Sequence, residues 1–173
     1  SEEVFWNVLH PEHPSIWFPF RVQLSEWEPT ERGQIVQAIR TFLTRRKVPF
    51  ILDLLEVAGS EATSSDLRHA LEIHWRRPDW LWRRRVAEFL DYLPRLGESE
   101  QTEVLAVALK KGEFVAHAND PRRRQAIQDA FNTPFFPMIL VGNRTMQEGL
   151  NLQRQCRRII HHDLRWNPAD VEQ

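Results

Sequence analysis

The sequence predicts an α/β fold, with a parallel sheet in the last third of the chain and a mostly helical region before it. Three observations carry this. After Gly112 the apolar runs shorten and follow the order strand, helix, strand, strand. Met138–Val141 is apolar throughout, in the manner of a buried strand. Before about residue 93, apolar residues recur at helical spacing. The change of rhythm between residues 93 and 112 divides the chain into residues 1–96, helical and rich in Trp and Pro, and residues 97–173.

The elements follow in chain order. Trp6, Trp17 and Trp27 alternate with Pro11, Pro14, Pro19 and Pro29. So many prolines break helices and ladders, so residues 1–30 read as loops with one short strand over Phe18–Leu24. The aromatics there are either core residues, the favoured reading, or anchors onto a neighbouring surface. Thr30 suits an N-cap, and Ile35, Val36, Ile39, Phe42 and Leu43 mark a helix that Pro49 ends. Phe50–Val57 reads as helix and Gly59 punctuates it. Ser64 or Ser65 caps a helix over Asp66–Trp75, and Pro78 opens another through Leu93, closed by Pro94 and Gly97. A further helix starts at Glu98 or Ser99 and ends at Lys110-Lys111-Gly112, where cations followed by glycine suit a C-terminus. Beyond it, Glu113–His117, Met138–Val141 and Arg158–His161 are strand candidates. Asp120–Phe131 and Asn167–Gln173 are helix candidates, each with proline at its start.

Composition bounds the function only loosely. At 173 residues, 42% hydrophobic and 27% charged, the chain can bury a core and is ordinary for a globular protein. A formal net charge of −1 gives no global signal for nucleic acid or membrane, so a basic surface must come from local clustering. Cys156 is the only cysteine, which excludes an internal disulfide and a cysteine-based zinc site. No apolar run approaches the roughly 20 residues that span a bilayer, and no signal peptide is visible. The expectation is a cytoplasmic protein with no membrane partner. A start at Ser1 without methionine, and an end on the first turn of an expected helix, read as a piece of a longer protein.

Chemistry concentrates between Phe131 and Gln173. Ile139-Leu140-Val141-Gly142-Asn143-Arg144-Thr145-Met146-Gln147 runs from an apolar strand into a polar loop whose glycine lets backbone amides approach a ligand. Glu148-Gly149-Leu150-Asn151-Leu152-Gln153 follows. Arg158-Ile159-Ile160-His161-His162-Asp163-Leu164-Arg165-Trp166-Asn167-Pro168 then leads to Glu172-Gln173. Loops at the C-terminal ends of such strands are where α/β proteins bind phosphates.

These segments resemble motif V and the entry to motif VI in the C-terminal RecA-like lobe of superfamily 2 helicases, most closely the Snf2-like DNA translocases. Glu148–Gln153 is similar to motif V. Trp166-Asn167-Pro168 through Glu172-Gln173 looks like the approach to motif VI, which in the family continues into Gln-Arg-x-Gly-Arg. The resemblance covers roughly residues 97–173 and is specific from about Asn132. It implies a partial RecA-like lobe and a parent protein that couples ATP hydrolysis to movement on nucleic acid, DNA rather than RNA. It places Glu148, Gly149, Asn151 and Gln173 at the ATP cleft, and Asn143, Arg144 and Thr145 on the nucleic-acid strand. Its cofactors are ATP and Mg²⁺ in the parent, with no tight binding by this chain alone, and its protein partner is the N-terminal RecA-like lobe. The family usually has Ser or Thr where this chain has Asn143, which can still donate a hydrogen bond. It often has Asp where this chain has Arg144, a departure that leaves that role open.

The omissions are equally informative. No Gly-x-x-x-x-Gly-Lys-[Ser/Thr] loop, no Asp-Glu-x-His-like box and no arginine-finger pair occur in the sequence, so no residue of this chain is expected to be catalytic. The alternative function is a non-catalytic protein-interaction module on a degenerate helicase-lobe scaffold.

Other clusters have structural explanations. His161 and His162 are adjacent, so on a strand their imidazoles diverge and no metal site is expected. Arg76-Arg77 and Arg83-Arg84-Arg85, interleaved with Trp75, Trp80 and Trp82, read either as a basic–aromatic nucleic-acid surface or as a helix with buried tryptophans and a solvated arginine face. The second is favoured. Arg122-Arg123-Arg124 at a helix start opposes the helix dipole, mild support for an anionic partner, but a solvated face is the favoured reading. Cys156 reads as a small buried residue.

Overall fold

The computed structural model describes residues 2–11, 13–44, 48–108, 115–117, 124–135, 139–141 and 156–160. The chain divides into two compact units, Ser1–Gly112 and Glu113–Gln173.

The first unit is built from helices: α1 (Glu2–Val8), α2 (Pro14–Trp17), α3 (Arg21–Ser25), α4 (Pro29–Thr44), α5 (Val48–Ala58), α6 (Ser64–Trp75), α7 (Leu81–Tyr92) and α8 (Glu98–Ala108), with short 3-10 turns at Phe18–Phe20 and Leu93–Arg95. Helix α6 packs against α1, α2 and α5, while α4 packs against α1, α5 and α8. The helical spacing read in α4 is the buried face: Ile35, Val36, Ile39, Phe42 and Leu43 are all in the core.

The loops and strand expected before residue 30 are instead helical. Proline is compatible with the first turn of a helix, where its missing N–H would have no partner and its φ is already set. Pro14 and Pro29 each begin a helix, and Pro19 lies in the 3-10 turn. Pro49 likewise sits at the start of α5 rather than closing α4. Helix α6 begins at Ser64, two residues before the expected start at Asp66. Thr63 is its N-cap and exchanges hydrogen bonds with Asp66, whose backbone N–H donates to Thr63 Oγ1 at 3.3 Å while the Thr63 N–H donates to Asp66 Oδ2 at 2.8 Å. Gly59 ends α5 in the left-handed region at φ 90°, its N–H bonded to the Leu55 carbonyl at 2.8 Å.

Buried Arg40 ties α1 to α4. Its Nη2 donates to the Trp6 carbonyl at 2.9 Å, and its guanidinium lies 4.0 Å from the centre of the Trp6 ring. Desolvation lowers its pKa, and an arginine remains a cation regardless.

The α/β expectation, a partial lobe built on a parallel sheet, is overturned: helix dominates the described residues. In the second unit these comprise strand β1 (Val115–His117), helix α9 (Arg124–Phe131), strand β2 (Ile139–Val141) and Cys156–Ile160. The β structure described is a pair of three-residue strands, parallel, with Val115 opposite Ile139 and His117 opposite Val141. Arg158–Ile160, expected as strand, has no regular structure, and Ile159 and Ile160 are 74% and 81% exposed. A continuous apolar run becomes a sheet strand only when both of its faces are covered, and these side chains are not. Thr133 closes α9 by donating its hydroxyl to the Ala130 carbonyl at 2.7 Å. The helix expected over Asn167–Gln173 lies outside the described residues.

Candidate functional site

The residues assigned by resemblance, Glu148, Gly149, Asn151 and Gln173 for the ATP cleft and Asn143, Arg144 and Thr145 for the nucleic-acid strand, all lie outside the described residues. So do His161, His162, Asp163, Arg122 and Arg123. The described neighbour of this region is β2, which ends at Val141, two residues before Asn143. Cys156 is half-buried rather than core, and its thiol faces the Arg158 carbonyl at 3.8 Å. Among the described residues no group of three or more His, Cys, Asp or Glu is placed to hold a metal ion.

The corner between α6 and α7, with the arginines and tryptophans singled out in the sequence, is fully described. Its tryptophans are buried: Trp75 is 1% exposed, Trp80 6% and Trp82 1%. They sit in an aromatic cluster drawn from four helices and the Phe18–Phe20 turn. Trp75 meets Phe20 edge-on at 5.2 Å, Trp82 lies 5.9 Å from both Phe42 and Phe50, and Trp80 stacks on His74 at 4.6 Å. A buried indole cannot stack on a base, so the aromatic half of the basic–aromatic reading is lost.

What holds the corner is a residue the sequence reading passed over. Asp53, halfway along α5, accepts hydrogen bonds on one carboxylate oxygen from Trp80 Nε1 at 2.8 Å and Trp82 Nε1 at 3.1 Å. Its backbone carbonyl accepts from His74 Nε2 at 2.9 Å. A carbonyl only accepts, so Nε2 is the donor of this bond. Nδ1 is buried without a partner among the described residues. The missed signal was a lone acid in the apolar run Phe50–Leu55, in a chain with several indole N–H groups to satisfy.

The arginines of the corner face outward. Arg76, Arg77 and Arg84 are exposed, and Arg83 and Arg85 are partly so. Two of their ion pairs are long, Arg77 to Asp79 at 3.6 Å and Arg84 to Glu88 at 3.9 Å, while Arg85 donates a part-buried hydrogen bond to Glu88 at 3.3 Å. Such pairs contribute about 0–1 kcal/mol each. Helix α7 has no acidic residue in its first turn and no side-chain cap.

No helix among the described residues is long and apolar enough to cross a membrane. No protein-family model, no curated protein and no solved structure matches the chain.

Proposed function

We propose that this chain supplies the motif-V part of a nucleic-acid-dependent ATPase, a helicase or DNA translocase working in the cytoplasm. The observation that carries the reading is the pairing of Glu148-Gly149-Leu150-Asn151-Leu152-Gln153 with Trp166-Asn167-Pro168…Glu172-Gln173 at the separation the helicase motifs have. The local structure that supports it is the parallel pair β1 and β2, with α9 between them in sequence and Asn143 following β2 by two residues in the chain.

In this reading Asn143 and Thr145 donate hydrogen bonds to strand phosphates, and Gly149 lets the backbone approach the nucleotide cleft with no side chain in the way. Glu148, Asn151 and Gln173 line the same cleft. The residues present do not make a complete site for ATP and Mg²⁺. The sequence contains neither a glycine-rich Lys-Ser/Thr loop to cradle the β- and γ-phosphates nor an acidic pair of the Walker type to hold the metal. Those groups must come from an N-terminal motor lobe outside these residues, which is the protein partner proposed.

The test is ATP hydrolysis, with and without single-stranded or duplex DNA, by the polypeptide in which these residues naturally occur, with the 173-residue chain as control. DNA-stimulated turnover in the former and none in the latter is expected. Absence of stimulated turnover in both overturns the reading in favour of a non-catalytic interaction module.

A further inference from the structure

The α6–α7 corner concentrates positive charge in a chain that is otherwise acidic. Between Arg68 and Arg85 there are six arginines against Glu72 and Asp79, while the whole chain has a net charge of −1. Every cation in that stretch is arginine, the side chain whose planar fork matches phosphate oxygens.

Part of this charge has an internal purpose. Arg76 is the C-cap residue of α6, where a cation complements the terminal carbonyls. Arg83 and Arg84 have no such excuse. They stand in the first turn of α7, a helix of 12 residues, where cations oppose the dipole and that turn itself holds no acidic residue. Glu88 is the carboxylate that both Arg84 and Arg85 reach. The corner is also held in shape from below, because Trp80 and Trp82 hang on Asp53 from α5. An outward-facing arginine cluster, with its aromatics buried beneath it, suits a linear polyanion contacted through its backbone.

We infer that Arg76, Arg77, Arg83 and Arg84 form a phosphate-backbone contact for a nucleic-acid strand, in addition to the one proposed for Asn143 and Thr145. Binding there is electrostatic and tolerant of sequence, because no base-stacking surface is exposed at the corner. This inference does not depend on the ATPase reading, since it concerns binding without nucleotide.

The experiment is fluorescence anisotropy of a labelled 20-nucleotide single strand titrated with the 173-residue chain across a salt series. Four phosphate contacts on a single strand correspond to about 0.7 each in the slope of log K against log salt. The variant with Arg76, Arg77, Arg83 and Arg84 all changed to Gln is therefore expected to lose roughly 3 from that slope. Arg76→Gln or Arg83→Gln alone should lose about 0.7, while exposed Arg95→Gln, outside the corner, leaves it unchanged. Unchanged circular dichroism and melting show that the variants fold. An unchanged slope in the fourfold variant overturns the inference. If the slope falls only in Arg144→Gln, the strand contact belongs to the second unit, and the functional reading survives without this one. Equal or tighter binding of poly-glutamate of the same length overturns it in favour of an acidic protein partner.

Discussion

In the unit spanning Ser1–Gly112 the conspicuous buried polar residues are used up by structure, whereas the motif residues assigned by resemblance within Glu113–Gln173 lie outside the described residues and are known by their order alone. Asp53 looks like a stray acid in an apolar helix, and the fold spends it on two indole N–H groups. Arg40 looks like a buried charge in need of a role, and it is bonded to a carbonyl and seated on Trp6. Glu148, Gly149, Asn151 and Gln173 have no comparable packing logic in sequence. Their spacing is what the proposed nucleotide cleft would account for. The difference teaches that unusual residues are weak evidence of chemistry when a neighbouring donor or ring needs them, and stronger evidence when their order repeats a mechanism.

The comparison breaks most easily at the aromatic cluster. Trp82→Ala removes a fully buried ring that touches Phe42 and Phe50, and is expected to cost about 3–5 kcal/mol in chemical denaturation. A loss under about 1 kcal/mol would mean that the cluster is not the core of the first unit. Asp53→Ala leaves two buried indole N–H groups without an acceptor and should cost about 3 kcal/mol. Asp53→Asn, which keeps an oxygen at the site, is expected to recover part of that loss. If both substitutions are silent, Asp53 is free for a role beyond structure and the contrast between the units fails.

The smallest effect sharpens the comparison at a helix end. Thr63→Ala removes the cap of α6 and should lower stability by about 1 kcal/mol. The Thr63 hydroxyl hydrogen bond, followed by the Thr63 backbone N–H, holds the Asp66 carboxyl below its ordinary value. A depressed carboxyl pKa stabilises the fold above the unfolded value, and that contribution disappears as pH falls through the folded one. The gap in melting temperature between wild type and Thr63→Ala should therefore be widest near neutral pH and narrow as pH falls through the lowered Asp66 value. A gap that widens on acidification contradicts the capping geometry.

The first unit's helices from α4 onward were legible because burial repeats at 3.6 residues: Ile35, Ile39, Phe42 and Leu43 announce a face before any partner is known. Residues 1–30 were misread because proline carries the same letter at the first position of a helix, as at Pro14 and Pro29, and in a loop. The sheet was misread because Ile159-Ile160 satisfies the composition of a strand, while strand formation depends on whether other layers cover it. The aromatic corner was half legible. Buried tryptophans under outward arginines were anticipated, but their acceptor was not, since Asp53 and Trp82 meet only through the packing of α5 against α7's first turn. The motif residues are proposed from their order alone, and they lie outside the described residues.

The central claim is tested most directly by Gly149→Val in the polypeptide that carries these residues in the cell, assayed for ATP hydrolysis with and without DNA. If Gly149 lets the backbone close on the nucleotide cleft, the added side chain abolishes DNA-stimulated turnover while DNA affinity and melting temperature stay at wild-type values. Full stimulated turnover in Gly149→Val would contradict the motor assignment and leave the second unit as scaffold.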